Sequence, residues 1–251
     1  DELAKNIMLG STPPSEKRSK NDLGRFGLGM KTASFSMARE LNVFSKTNTS
    51  KLSFRQWDLD KIEQTKKWLV FKEFPSWYNG LNDQIKIKNQ GTLIYWKKCD
   101  RFGKYASSEK SLKSTAIDLV NYLGTIFSRF FVGKDNIKIY VNSLLVEGWN
   151  PIPEKSRSLG TQTYSNFKVH PFVLPHRSQF SNSDEFDKAS GINGWNSQQG
   201  FYIYRENRLI VNGTWLGLKR LKNDEHTKLA RIIIDIDSEL DFILIEYLLK
   251  R

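Results

Sequence analysis

A glycine-rich segment that runs directly into a helical pattern is the feature that most limits how this chain folds. Residues 24–34 read GRFGLGMKTAS, with glycines at positions 24, 27 and 29 followed by Lys31. Because glycine has no Cβ, the backbone there can approach an anion closely, and the first N–H groups of a helix beginning near Met30 point toward the same place. The pattern GxxGxG followed by a basic residue predicts a phosphate-binding turn, although an ordinary loop-to-helix junction has a similar composition.

Length and composition indicate a folded protein of one large or two modest domains. The 251 residues are 39% hydrophobic and 13% aromatic, which is too apolar for a disordered chain. No apolar run approaches the roughly 20 residues that span a bilayer, and the amino end lacks the order of a signal peptide, so we expect a cytoplasmic protein without a membrane partner. Cys99 is the single cysteine, and His170, His176 and His226 are scattered, which predicts neither a disulfide nor a structural metal.

The formal net charge of +12 favours a polyanionic partner, because clustered lysines and arginines bind phosphates with release of counterions. Basic residues are concentrated near positions 17–20, 97–101 and 219–222. A merely well-solvated surface is the alternative, since no base-reading module is visible. We expect contact with DNA or RNA.

Hydrophobic periodicity predicts a mixture of helices and strands. Helices are predicted at 3–9, 28–41 and 112–130, and strands at 42–46, 52–59, 68–74, 91–96, 137–141, 167–174, 200–211 and 229–236. Residues 178–196 are predicted as a long polar loop. Two prolines within 149–153 suggest a boundary, which divides the chain into domains 1–150 and 151–251.

Two other phosphate-binding patterns fit the glycine segment less well. A Walker A loop, GxxxxGK[ST], is nearly present, but Met30 stands between Gly29 and Lys31, and no hydrophobic strand precedes the glycines. The run 232–235, IIID, imitates a Walker B strand, although apolar strands that end in aspartate are common. The dinucleotide fingerprint GxGxxG has the reverse glycine spacing.

Residues 23–34, LGRFGLGMKTAS, resemble the ATP-lid motif of the GHKL ATPases, the superfamily of gyrase B, the heat-shock-ninety chaperones, histidine kinases, MutL and MORC proteins. Residues 1–11 resemble the segment that follows the DxGxG motif of that superfamily, and Gly91-Thr92 resembles its third nucleotide-contacting box. Residues 200–210, 215–217, 228–232 and 238–241 resemble the second domain of MORC-like and MutL-like bacterial members.

The resemblance implies an α/β fold in which a Bergerat-type α/β sandwich, a mixed sheet with helices on one face, is followed by a smaller β-α domain similar to the ribosomal-protein-like transducer domain. It also implies that ATP is bound, with backbone contacts from Gly27 and Gly29. Thr92 is then similar to the threonine that reaches adenine directly or through water, with an ordinary strand threonine as the alternative. The implied ATP-binding residues are Gly24, Arg25, Phe26, Gly27, Leu28, Gly29, Met30, Lys31, Thr32 and Thr92.

By the resemblance, Lys31 and Lys250 are the candidate cations for contact with the ATP phosphates. Lys31 either adds charge there or pairs on the helix surface, and Lys250 is the candidate for the lysine of the second domain that senses the γ-phosphate, with a surface terminal lysine as the alternative. Arg205 and Arg208 are assigned to interdomain or nucleic-acid contacts, or simply to solvent.

Several chemical parts of the superfamily lie upstream of the lid and are absent from this sequence: the catalytic glutamate, the magnesium-binding asparagine and the adenine-reading aspartate of DxGxG. We therefore expect a truncated piece of a parent protein that is an ATPase, with Mg²⁺ held by a ligand outside this chain.

By this resemblance, ATP orders the lid, two protomers close as a homodimeric clamp, and duplex DNA is the object of the clamp. The alternative is a chaperone-like or regulatory module that binds ATP and acts through protein contacts without catalysis.

Overall fold

The computed structural model describes residues 2–8, 10, 23–24, 27–101, 108–134 and 136–237. These residues form two compact units: the first extends to Leu112, and the second, apart from Leu23, extends from Lys113. The boundary that the sequence suggests at residue 150 lies inside the second unit. The division into domains 1–150 and 151–251 stays a prediction. No helix among the described residues is long and apolar enough to cross a membrane.

The first unit is built on an antiparallel sheet with β1 in its centre. Its elements are α1 (Glu2–Ile7), α2 (Gly29–Met37), β1 (Glu40–Lys46), β2 (Ser53–Asp58), α3 (Leu59–Thr65), a 3₁₀ turn at Ser76–Gly80 and β3 (Gly91–Lys97). Strands β2 and β3 pair with the two edges of β1, so that Leu41 lies opposite both Trp57 and Trp96.

Successive side chains of a strand point to opposite sides of the sheet. The first five residues of β1 are all buried, so both faces of the sheet are covered there. On one face, Leu41 and Val43 pack with Ile7 of α1 and with residues of α2 and α3. On the other face, Phe44 packs with Phe54 at a ring separation of 4.6 Å and with aromatic residues of the 3₁₀ turn. The helices α1, α2 and α3 therefore share one side of the sheet.

The second unit contains a larger, mixed sheet. Its elements are α4 (Glu109–Ile126, which begins in the first unit), a 3₁₀ turn at Ser128–Phe130, β4 (Tyr140–Val141), β5 (Leu144–Leu145), β6 (Arg157–Ser158), β7 (Gln162–Thr163), β8 (Phe167–Val173), a 3₁₀ turn at Arg177–Gln179, α5 (Ser183–Ser190), α6 (Gly194–Ser197), β9 (Gly200–Arg205), β10 (Arg208–Thr214) and β11 (Ala230–Ile236). The strand order is β10-β9-β11-β8-β6, with β7 also on β8, and β9 pairs with β11 in parallel. Its core contains Ile126, Tyr202, Tyr204, Leu209 and Ile233.

The mixed α/β class is confirmed, and so are a short helix at the amino end and the strands predicted at 91–96, 167–174 and 229–236. The segment predicted as one strand at 200–211 forms two antiparallel strands, β9 and β10. The strand predicted at 137–141 is reduced to the two residues of β4, and only Phe71 of the segment 68–74 bridges to another strand, at Gln56. Likeness of the second unit to a transducer domain stays a prediction.

Two predicted elements are wrong for identifiable reasons. The helix predicted over 28–41 ends at Met37, because Ala38 is extended and Leu41 is needed inside β1. The segment predicted as a loop at 178–196 contains α5 and α6. Asn182 caps α5 by accepting a hydrogen bond from the backbone N–H of Glu185 at 2.8 Å, and Gly191 ends it with a φ of 70°.

Candidate functional site

The glycine turn leads into α2, whose N-terminus has no side-chain cap. Gly27 has a φ of 61°, a left-handed conformation that favours glycine, and it turns the chain into α2. Leu28 stands at the N-cap and makes no side-chain hydrogen bond to the helix. A Cβ added at Gly29 would meet no atom of the described residues within 4 Å. The first N–H groups of any helix lack a partner within the helix, and those of α2 have no side-chain cap from Leu28, so the start of α2 suits an anion.

Lys31 is the side chain that holds this turn in place. It is only 3% exposed, and its ammonium group donates to the carbonyl oxygens of Asn6 at 2.8 Å and Met8 at 2.7 Å, and also to that of Gly27. An ammonium group has three N–H donors, so this arrangement uses all of them. Burial lowers the pKa of Lys31. Lys31 thus ties the end of α1 to the glycine turn, and in this arrangement it has no donor left for a phosphate.

Two tryptophans of the sheet hold α1 and α2 in place. The indole N–H of Trp57 donates to the carbonyl of Ile7 at 3.1 Å in a buried position, which anchors the end of α1. The indole N–H of Trp96 donates to Oγ of Ser34 at 2.9 Å, and that hydroxyl in turn donates to the carbonyl of Met30 at 2.7 Å. Both helices are consequently held at defined positions on β2 and β3.

A groove of about 720 Å³ lies between α1, the start of α2 and the sheet. Four apolar residues contribute to its lining: Leu3, Ile7, Met30 and Val43. Hydroxyl side chains of the strands and of the turn between β1 and β2 also line it, and the Oγ atom of Ser45 lies 3.0 Å from Oγ1 of Thr92. Glu2, Lys46 and Lys51 supply charges. Ligand sites in proteins have this size and this mixture of apolar area with a few polar groups.

The structure brings two of the predicted ATP-binding residues, Met30 and Thr92, into this one groove. Gly27, Leu28 and Gly29 lie at the start of α2, and Gly24 is exposed. The hydroxyl of Thr32 donates to its own helix, to the carbonyls of Leu28 at 3.1 Å and Gly29 at 3.3 Å. Arg25, Phe26 and Lys250 lie outside the described residues. The roles of all these residues in ATP binding stay predictions.

Two features of this region were not predicted from the sequence. One is that Ile7 and Val43 line the groove, and the other is that backbone carbonyls of Asn6 and Met8 hold Lys31. The alternation of Val43 and Ser45 along β1 was the available signal for the lining, because residues two apart in a strand share a face. Backbone acceptors leave no signal in side-chain patterns.

Residues 1–92 match the family model of the histidine kinase-, DNA gyrase B-, and HSP90-like ATPases, a span that includes the glycine turn and ends at Thr92. Among solved structures, the chain is similar to the ATPase region of Saccharomyces cerevisiae topoisomerase II, with a TM-score of 0.45 and 11% identity over 94% of this chain and 58% of that one. The same region bound to ICRF-187 (dexrazoxane) gives 0.40 and 12% over 91% and 57%.

The chain thus spans less than two thirds of the structures it matches. No curated protein matches it. The family match supports the GHKL resemblance for the segment that carries the groove, and a closer relation to MORC-like and MutL-like proteins stays a prediction. The described residues contain no group of three or more His, Cys, Asp or Glu side chains that could hold a metal ion.

Proposed function

We propose that the first unit binds ATP in the groove between α1, the start of α2 and the sheet. The observation that carries this proposal is that the groove places Met30, next to the uncapped end of α2, in the same cavity as Thr92. Residues 1–92 match an ATPase family over this same region, which supports the choice of nucleotide.

Each part of the nucleotide has a chemically suitable surface in this proposal. The partly exposed apolar side chains of Leu3 and Met30 accommodate the adenine ring above the buried Ile7 and Val43, and the hydroxyl of Thr92 hydrogen-bonds its edge directly or through water. The phosphates lie toward Gly27 and Gly29, where free N–H groups and the positive end of the helix dipole favour negative charge. Lys31 contributes by holding the turn in shape through its carbonyl partners.

Titration with a fluorescent ATP analogue tests the binding step. We expect saturable binding that unlabelled ATP displaces, and we expect Thr92→Val to weaken it about three- to tenfold, because a net hydrogen bond contributes about 0.5–1.5 kcal/mol. Thr163→Val, an exposed strand threonine of the second unit, is the matched control and should leave affinity unchanged. Absence of displaceable binding, or equal effects of the two variants, would refute the proposed site.

Hydrolysis is the second part of the proposal and belongs to the full-length ATPase. By the resemblance, the glutamate and the magnesium-binding asparagine that perform it are not in this chain, and Mg²⁺ would spread the phosphate charge when bound. We propose Lys250 as the contact of the second domain with the γ-phosphate. Steady-state ATPase assays of the full-length protein and of its Lys250→Met variant test this, with loss of turnover but retained ATP binding as the expected result.

The third part is a homodimeric clamp on duplex DNA, closed by ATP. The net charge of +12 supports a polyanionic partner. Fluorescence anisotropy with duplex DNA between 50 and 200 mM salt, with and without a non-hydrolysable ATP analogue, tests it together with sedimentation velocity. We expect nucleotide to strengthen DNA binding and to produce a dimer, and we expect salt to weaken binding steeply. ATP binding without any effect on DNA would instead favour a regulatory module that acts through protein contacts.

A further inference from the structure

The first unit contains an exposed aromatic side chain among lysines, in a segment that does not line the proposed ATP groove. Trp68 is 64% exposed, the largest exposed fraction of any tryptophan in the chain. The segment 64–72, QTKKWLVFK, contains three lysines and no acidic residue. These lysines, Lys66, Lys67 and Lys72, are all exposed. The segment therefore offers a partner one flat apolar ring and three positive charges.

The carboxylates of the preceding helix, α3, are paired with other cations. Asp60 forms an ion pair with Lys98 at 2.7 Å, and Glu63 forms one with Arg39 at 3.0 Å. Within the part of the chain that the structure describes, the three lysines of the segment form no ion pair. When Glu73 is included, three lysines against one glutamate leave a net charge of +2 over residues 64–73. The positive charge beside Trp68 is thus available to an anionic partner.

The loop that presents Trp68 is held at both ends. At one end, the backbone N–H of Lys66 donates to the carbonyl of Ile62 at 2.8 Å and closes α3. At the other end, Phe71 and Gln56 exchange two backbone hydrogen bonds of 2.9 Å each, which fix the chain to the edge of β2. Trp68 lies between these two anchors, so a partner that binds there orders little additional backbone.

Trp57 holds the ring of Trp68 without covering it. The two ring centroids lie 5.6 Å apart and the ring planes meet at 73°, which is an edge-to-face contact. Trp57 is itself only 2% exposed, and its indole N–H donates to the carbonyl of Ile7 at 3.1 Å. In such a pair the partner contacts at most one face of a ring, and no other ring or cation among the described residues lies on Trp68. At least one face of the exposed indole is therefore open to a flat ligand.

We propose that residues 66–72 form a contact surface for single-stranded nucleic acid, in which an unpaired base stacks on Trp68 and the three lysines bind the neighbouring phosphates. A single strand matches both features, because every base has a flat face and every nucleotide has a negative charge. A duplex keeps the faces of its bases inside the stack and can use only the lysines. The proposal does not rest on ATP binding, since none of these residues lines the ATP groove.

Indole N–H signals in two-dimensional ¹H–¹⁵N NMR of the purified chain test the stacking contact. The chain has 7 tryptophans, and Trp68→Phe identifies the signal of Trp68 by its loss. A thymidine oligonucleotide of about ten residues, a length within the usual range of site sizes, is titrated in the absence of ATP. We expect a saturable shift of the Trp68 signal, while the signal of Trp195 in the second unit stays in place. The proposal is wrong if the oligonucleotide does not move the Trp68 signal.

Fluorescence anisotropy of the labelled oligonucleotide measures the contributions of the ring and of the charges separately. Trp68→Ala should weaken binding about tenfold, and Trp68→Phe, which keeps a stacking ring, should weaken it less. Lys67→Gln should reduce the slope of log affinity against log salt by about 0.7, the value for one phosphate contact with a single strand. Tyr140→Ala and Lys188→Gln change exposed residues of the second unit, and these matched controls should leave affinity and slope unchanged.

Two further ligands show whether the surface recognises bases or only charge. A duplex of the same length should bind the unchanged chain and Trp68→Ala equally well, and poly-glutamate of equal total charge should displace the thymidine oligonucleotide poorly. The proposal is overturned if Trp68→Ala weakens duplex binding as much as single-strand binding, or if poly-glutamate competes as well as unlabelled oligonucleotide, because the bases are then not recognised.

Two precautions keep the outcome unambiguous. If Trp68→Ala does not fold, as judged by the indole signal of Trp57, then Trp68→Phe and Lys67→Gln provide the test, and unchanged affinity and salt slope in both overturn the proposal. Thr92→Val, which should weaken ATP binding, should leave single-strand binding unchanged. Failure of the ATP site and failure of this surface are therefore distinguishable.

Discussion

Lys31 and Arg231 are both buried cations, but they differ in how many of their hydrogen-bond donors the protein uses. Lys31 in the first unit gives all of its donors to backbone carbonyls of α1 and the glycine turn. Arg231 in the second unit uses one nitrogen on two carbonyls and leaves Nε and Nη2 unpartnered among the described residues. A buried charge is costly unless it is paired and hydrogen-bonded.

The contrast teaches that a lysine beside a glycine turn can have all of its donors used by backbone carbonyls of its own chain. Lys31 is fully engaged by the protein, so its function is to shape the turn that presents Gly27 and Gly29. Arg231 is less fully engaged, because its Nε and Nη2 atoms have no hydrogen-bond partner among the described residues.

Lys31→Met should have the largest effect on stability. The change removes the ammonium group and leaves the carbonyls of Asn6, Met8 and Gly27 without this donor. We expect the first unit to lose about 3–5 kcal/mol, because each buried acceptor left unsatisfied costs about 1–3 kcal/mol. Urea unfolding followed through the indole signal of Trp96 measures it.

Lys61→Met is the control for this variant, since Lys61 is an exposed lysine on α3 of the same unit. Its effect should remain within about 0.5 kcal/mol. If the two variants unfold at the same urea concentration, the carbonyl contacts of Lys31 contribute no stability and the assigned role is wrong.

The sequence predicts the elements around Lys31 better than it predicts the contacts of Lys31. The glycine spacing and the apolar periodicity indicate a turn, a helix and strands, and these determine where Gly27, Met30 and Thr92 lie. The three acceptors of Lys31 are backbone oxygens, two of them more than 20 residues away in the chain, and backbone groups are the same for every residue type.

The same limit explains why Arg231 was not recognised as special. An arginine between apolar residues of a strand is predicted to point toward solvent, and the sequence does not show that the face shared by Arg231 and Ile233 is the buried face of β11. Helices α5 and α6 were likewise missed because a polar composition outweighed the capping signals of Asn182 and Gly191. Local patterns predict elements, whereas burial depends on elements distant in sequence.

A pair of tryptophan variants should show the next largest difference. Trp57→Phe removes a buried indole that donates to the carbonyl of Ile7, and Trp195→Phe removes an indole N–H that has no partner among the described residues. We expect Trp57→Phe to cost about 1–3 kcal/mol more than Trp195→Phe, since an abandoned buried carbonyl carries its desolvation penalty. Urea unfolding followed through Trp96 and Trp149 compares them within their own units. If both variants lose the same free energy of unfolding, the hydrogen bond to Ile7 makes no net contribution to stability.

Arg231→Met should change stability far less than Lys31→Met does. The change leaves the carbonyls of Lys228 and Ala230 without this donor, but it also removes a buried charge that has no counter-ion among the described residues. These two effects offset each other, so we expect a change within about 1 kcal/mol. The indole signal of Trp149 reports unfolding of the second unit, and the measurement is made in a buffer without phosphate or carboxylates. A loss as large as that of Lys31→Met would mean that Arg231 is a structural cation after all.

Gly29→Ala should have the smallest effect on stability and still affect function. Because a Cβ at position 29 would meet no atom of the described residues within 4 Å, and because alanine is a better helix former, the first unit should be unchanged or gain about 0.5–1 kcal/mol. Any loss of affinity for the fluorescent ATP analogue must then come from obstruction of the ligand itself. We expect several-fold weaker binding, whereas Gly80→Ala, whose Cβ also meets nothing within 4 Å, should bind ATP normally. If Gly29→Ala binds the ATP analogue with unchanged affinity, the phosphates do not lie beside Gly29. The turn that Lys31 holds would then not be the phosphate-binding site.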